Sequence, residues 1–162
     1  MSCGSWAALD PGRSKCGLVR CDHQQTRVIV AHVEPGASCL QRLEQWGSDD
    51  LEGVVLGDGT GSADWPRRLR DLGLTVALVD ERGSTLAARD RYWQLVPPRR
   101  WQRLLPRGLR PPPRPIDDVV AQLLLERWLG RPLGRSAELE PPLLAQERQA
   151  RRAQKRARTV KA

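Results

Sequence analysis

The sequence has no phenylalanine, one tyrosine, one methionine, two histidines and only four cysteines in 162 residues. Each scarcity removes a class of chemistry. Cys3, Cys16, Cys21 and Cys39 form no Cys-x-x-Cys pair, and His23 and His32 stand at no zinc spacing from them. The expectation is therefore free, mostly buried thiols. Ser84 and Thr85 have no evident histidine partner, which leaves nothing on which to build a nucleophilic triad. Long apolar runs are missing too. "VVAQLLLERWL" ends in Glu126 and Arg127, well short of the roughly 20 residues of a membrane span. "MSCGSW" lacks the basic-then-apolar order of a signal peptide, so a cytoplasmic protein with no membrane association is expected.

What is present is arginine, 24 residues of it against 3 lysines, and a formal net charge of +8. That charge is uneven. Residues 145–162 hold seven basic residues and one acid, so +6 of the +8 lies there and +2 on the remaining 144 residues. At about 100–200 residues per domain the length fits one core. The expected division is a folded domain over 1–134 and a basic tail over 135–162, disordered or helical, with a non-specific phosphate-binding role as its functional reading.

Hydrophobic periodicity gives the order of elements. Trp6 to Leu9, "CGLVRCD" and "TRVIVAHVEP" read as three strands joined by tight turns, hence antiparallel neighbours. Leu40, Leu43 and Trp46 recur at helical spacing until Gly47. "GVVLGDG" and "LTVALVDE" are short continuous apolar runs, expected as buried strands. "ADWPRRLRDLG" and "STLAARDRYWQL" read as helices, with Asp64 and Ser84 as caps. Residues 96–118 hold seven of the thirteen prolines and exclude a long regular element, leaving a helical turn near Arg99 to Leu105. "DDVVAQLLLERWLG" is expected to be a buried helix, capped by Asp117 or Asp118 and closed by Gly130. The order βββαβαβα indicates an α/β fold with a mixed sheet.

Three acids occupy comparable places in that order: Asp10 at the end of the first strand, Glu81 beyond a later strand, and Asp117 at the start of the last helix. Strand ends and helix starts along one edge of an α/β sheet are where ligands are held. Three carboxylates converging there would repel one another without a cation, and hard oxygen donors suit magnesium or manganese. A pair of such ions supports hydrolysis of phosphodiesters. Each acid also has a plain local reading. Asp10 begins an Asp-Pro-Gly turn, Glu81 lies beside Arg82 as in an ordinary loop ion pair, and Asp117 or Asp118 fits a helix cap.

Four stretches resemble the signatures of the YqgF/RuvX family of ribonuclease H-like nucleases, in the right order and separation over about residues 5–130. "LDPGRSKCGLVRCD" is similar to the opening motif, with Asp10, Gly12, Lys15, Gly17 and Asp22 at its marked positions. "VVLGDGTGS", "VDERGST" and "PIDDVVAQLLLERWL" resemble the second, third and closing motifs. The proline- and arginine-rich stretch looks like a cyanobacterial branch. Departures are Pro11 after the first acid, Cys16 and Val120 at usually different positions, and a shortened glycine loop at Gly57 to Thr60.

The resemblance implies a ribonuclease H-like fold: a five-stranded mixed sheet, strands one to three antiparallel, helices on both faces. It implies Asp10, Glu81 and Asp117 as catalytic ligands of Mg2+ or Mn2+, with Asp117 rather than Asp118 at the family position. Lys15 and Arg82 become candidates for phosphate oxygens. From the residues themselves, Arg99, Arg100 and Arg103, with Arg107, Arg110 and Arg114, read either as a phosphate-tracking surface beside Trp101 or as a solvated loop with Trp101 packed on the core. The expected activity is metal-dependent cleavage of nucleic acid by a monomer or homodimer. The substrate implied is ribosomal RNA precursor at the 5′ end of the small-subunit RNA, or else a branched DNA junction. Two other readings are a non-catalytic nucleic-acid-binding module and a nucleotide-binding lobe of sugar-kinase type.

Overall fold

The computed structural model describes residues 4–59, 63–136 and 139. Three strands open the chain: β1 (Ser5–Asp10), β2 (Cys16–Cys21) and β3 (Arg27–Glu34). They are followed by α1 (Gly36–Gly47), β4 (Leu51–Gly57), α2 (Trp65–Asp71), β5 (Thr75–Val79) and α3 (Ser84–Leu95). Two short 3-10 turns, Gln102–Leu104 and Arg107–Leu109, interrupt the proline-rich connection to α4 (Asp117–Leu129), and β6 (Gly134–Arg135) ends the described chain.

The strands form one mixed sheet in the order β5-β4-β1-β2-β3-β6. β2 runs antiparallel to both neighbours, while β4 and β5 join β1 in parallel. The sheet is mixed as expected, with strands one to three pairing antiparallel. Among the described residues it carries six strands rather than five. The sixth is a two-residue edge strand, parallel to β3 through Arg27 with Gly134 and Val28 with Arg135. Two residues give no period to read, which is why the sequence concealed it.

Alternation along β1 sends its side chains to two faces. Ala7 and Leu9 pack with Leu18, Val54 and Leu56 beneath α1 and α2, where Leu43, Trp65 and Leu69 are buried. Trp6 and Ala8 pack with Val19 and Val55 beneath α4, through Ala121, Leu124 and Leu125. Helices thus cover both faces. α3 lies outside α4, joined by Ala88, Tyr92 and Val96 against Val119 and Val120. With no phenylalanine, tryptophan fills the aromatic positions: Trp6 and Trp65 are buried, and Trp128 stacks on Trp6 with ring centroids 4.0 Å apart.

The helix caps differ from expectation. The N-cap of α4 is Ile116, with Asp117 and Asp118 as its first two residues and no side-chain cap bond. Gly83, in the left-handed region at φ 68°, precedes α3, and Ser84 is its first residue. Asp64 holds the N-cap of α2 without a side-chain bond. Packing, more than capping, sets these helix starts. The boundary expected at 134 falls inside β6. Ser136 N donates to Val28 O at 3.0 Å, and Leu139 packs on the α4 face of the core. Most of the basic tail lies outside the described residues. Among those described, no helix is long and apolar enough to cross a membrane.

Candidate active site

Because β1, β4 and β5 are parallel, their C-terminal ends share one edge of the sheet. Asp10 closes β1 there, opposite Gly17 of β2, and Gly57 closes β4 opposite Val79. Glu81 lies two residues past β5. Its backbone N–H donates to Asp58 Oδ1 at 3.1 Å, and Asp58 N donates to Val79 O at 3.0 Å, so Asp58 buttresses the loop that carries Glu81.

Glycines make room for the acids. A Cβ on Gly57 or Gly59 would collide with the Glu81 carboxylate. That carboxylate therefore lies across the end of β4, toward β1. A Cβ on Gly17 would run into the Asp117 carbonyl and come within 2.7 Å of Asp118 N. The first turn of α4 consequently rests on the β2 backbone directly opposite Asp10. The glycine loop, noted in the sequence as shortened, has a definite local task in seating Glu81.

The electrostatics record this convergence. Burial, reinforced by the Asp117 and Glu81 charges, pushes the Asp10 carboxyl from its ordinary 3.8 up to about 6. Among the described residues, no group of three or more His, Cys, Asp or Glu is drawn together tightly enough to hold a metal ion as it stands. Carboxylate oxygens from Asp10, Glu81 and Asp117 would suit a hard divalent cation such as magnesium or manganese.

Asp118 has a different environment. It is buried, and its Oδ1 accepts from Arg114 Nη1 at 2.7 Å while its Oδ2 accepts from Arg135 Nη1 at 2.9 Å. Although burial opposes ionisation, these guanidinium groups hold the carboxyl below its ordinary range. The network continues from Arg135 Nε to Gln122 Oε1 at 2.7 Å, from Gln122 Nε2 to Glu126 Oε1 at 3.0 Å, and to Glu126 from Arg91 Nη2 at 2.7 Å. Sequence reasoning assigned Arg135 to the tail. A lone arginine after a glycine carries no local sign of burial, so only the fold reveals it.

The remaining expected residues divide. Lys15 is exposed in the β1–β2 connection, at the same sheet edge as Asp10. Arg82 is exposed and paired with Asp80, Nη2 to Oδ2 at 2.8 Å. Asp22, at the opposite end of the sheet, accepts from Thr26 N at 2.7 Å and Thr26 Oγ1 at 2.6 Å and holds the β2–β3 turn. Arg99, Arg100 and Arg103 are exposed in the proline-rich connection, as is Trp101, which does not pack on the core.

No family model and no curated protein matches the chain. Among solved structures, T. thermophilus RuvC in complex with Holliday junction substrate is similar over 78% of this chain and 96% of that one, at 16% sequence identity and a TM-score of 0.42.

Proposed function

We propose that this chain is a metal-dependent nuclease that hydrolyses phosphodiester bonds, with Asp10, Glu81 and Asp117 as the residues that hold the metal. The observation that carries this reading is geometric: Asp10 ends β1 opposite Gly17, on which the Asp117 turn rests, while Glu81 lies against Gly57 at the end of the adjoining β4. The charges of those two acids add to burial in pushing the Asp10 carboxyl up. A metal held there supplies positive charge that activates water and stabilises the leaving oxygen of the phosphodiester. Asp10 sits partly buried at the end of a central strand, which fixes its position. Glu81 is held over β4 by two glycines, and Asp117 is set by the first turn of α4. Lys15, exposed at that edge, is placed to draw a phosphate toward the acids. Arg82 would have to exchange Asp80 for a phosphate oxygen. Ser84 is buried and serves as the first residue of α3, not as a nucleophile.

For the substrate we adopt RNA, specifically a ribosomal RNA precursor matured at the 5′ end of its small-subunit portion. The support is the order and spacing of the four sequence stretches. A four-way DNA junction needs two sites on one symmetric substrate and thus a two-fold dimer. RNA trimming needs only the single site described above.

The test is cleavage of labelled single-stranded RNA and of a four-way DNA junction by wild type and Asp10→Asn, in Mg2+, Mn2+ or EDTA. We expect RNA to be cut in either metal, not in EDTA, and not by the variant. Junction cutting in preference to RNA would replace the substrate. Binding without cutting by either protein would overturn the nuclease reading and leave a binding module.

A further inference from the structure

The connection between α3 and α4 presents an arrangement that a solvated linker would not keep. Every charged residue in 97–115 is an arginine, six in all. Two of them hold the segment in shape. Arg110 donates to Leu105 O at 2.7 Å and to Arg103 O at 3.0 Å, while Trp93 Nε1 donates to Arg110 O at 3.0 Å. Arg114 is fixed by Asp118 and lies over the Tyr92 ring, 5.5 Å from its centroid. The two 3-10 turns so secured hold apolar side chains in solvent: Trp101 is 59% exposed, Leu104 86% and Leu109 67%. Arg100, Arg103 and Arg107 are exposed among them. Six residues beyond Arg110 the chain reaches Ile116, and then Asp117 of the proposed site.

We infer that this segment is a stacking platform for unpaired nucleotides, with Trp101 receiving a base and Arg100, Arg103 and Arg107 holding the adjoining phosphates. The inference rests on the nuclease reading and narrows its substrate to nucleic acid with single-stranded nucleotides. An all-arginine charge set complements a polyanion. An indole face held in water matches a base face, and a duplex offers such faces only at its ends. An apolar protein partner would leave the guanidinium groups unmatched, and an acidic one would leave the exposed indole of Trp101 unmatched.

The test uses the full chain in EDTA, so that binding is read without cutting. Affinities for an unstructured labelled oligouridylate and for a blunt RNA duplex of equal length are measured for wild type, Trp101→Ala, Trp101→Phe and Arg100→Ala/Arg103→Ala/Arg107→Ala. Trp101→Ala is expected to weaken oligouridylate binding by about five- to 100-fold, matching the usual worth of one base stacked on an aromatic ring. Its duplex affinity should not change, and Trp101→Phe should retain most of the single-strand affinity. The triple arginine variant should flatten the salt dependence for single strands by about two in log–log slope. Equal affinity of Trp101→Ala and wild type for oligouridylate overturns the platform, as does an equal loss on the duplex. In either case metal-dependent cleavage by wild type would still uphold the nuclease reading. Failure of the wild type both to bind and to cut any nucleic acid overturns both.

Discussion

At the residue scale, Asp10 carries the clearest electrostatic mark of this sheet edge. Its folded-state carboxyl titrates near 6, above the ordinary 3.8. A raised carboxyl stabilises the fold below its unfolded value, and that contribution is lost as pH rises through the folded value. In EDTA, Asp10→Asn should therefore be more stable than wild type at pH 8, by about 1–2 kcal/mol after discounting for solvent screening, and no more stable at pH 4. Urea unfolding at the two pH values checks this. Magnesium should raise the stability of wild type and leave the variant almost unchanged, because only an intact ligand set gains from binding. Gly17 makes a complementary prediction. Gly17→Ala forces a methyl against the first turn of α4 and should cost about 1–3 kcal/mol. It should also abolish metal-dependent cleavage, since the displaced turn carries Asp117.

At the scale of elements, α4 is the part most tightly tied down. Its second residue, Asp118, joins Arg114 ahead of the helix to Arg135 in β6. Asp118→Ala would leave both cations without their carboxylate and should destabilise by about 3–5 kcal/mol, read by thermal or denaturant melts. Arg135 Nη2 already lacks a hydrogen-bond partner among the described residues, so little else can take over. The strands and helices were legible because apolar alternation and helical spacing survive without tertiary context: β1 to β5 and α1 to α4 all lie where the periods put them. The caps were not, because an acid at a helix start can serve a cap, a site or an ion pair. Asp117 and Asp118 are adjacent, chemically identical and placed in different environments. Only the neighbours supplied by β2 and β6 separate them. Glu81, in contrast, could be marked from sequence, yet the two glycines that seat it carried no such label.

At the scale of the whole molecule, the proposed reading predicts separable tasks for the described body and the basic C-terminal region. Ending the chain after Leu133 removes β6 and Arg135 and should lower the melting temperature together with metal-dependent activity. Ending it after residue 140 keeps both. The second truncation removes the +6 of residues 145–162 and should weaken binding to any nucleic acid alike, with a shallower salt dependence. Affinity measured between 50 and 300 mM salt on the two truncations separates these effects. The other edge of the sheet is less protected, since Leu78 on the outermost strand β5 is 57% exposed.

The pairing of β6 with β3 also sets an order of events in time. Val28 meets Arg135 only after more than a hundred intervening residues have been made, and contacts so distant along the chain form late. During synthesis the sheet, both of its helical faces and all three acids can assemble before Arg135 leaves the ribosome. Until it does, Asp118 lacks one of its two guanidinium partners, and the turn bearing Asp117 lacks its final anchor. The nascent protein would thus hold its acids in place early and fasten them last.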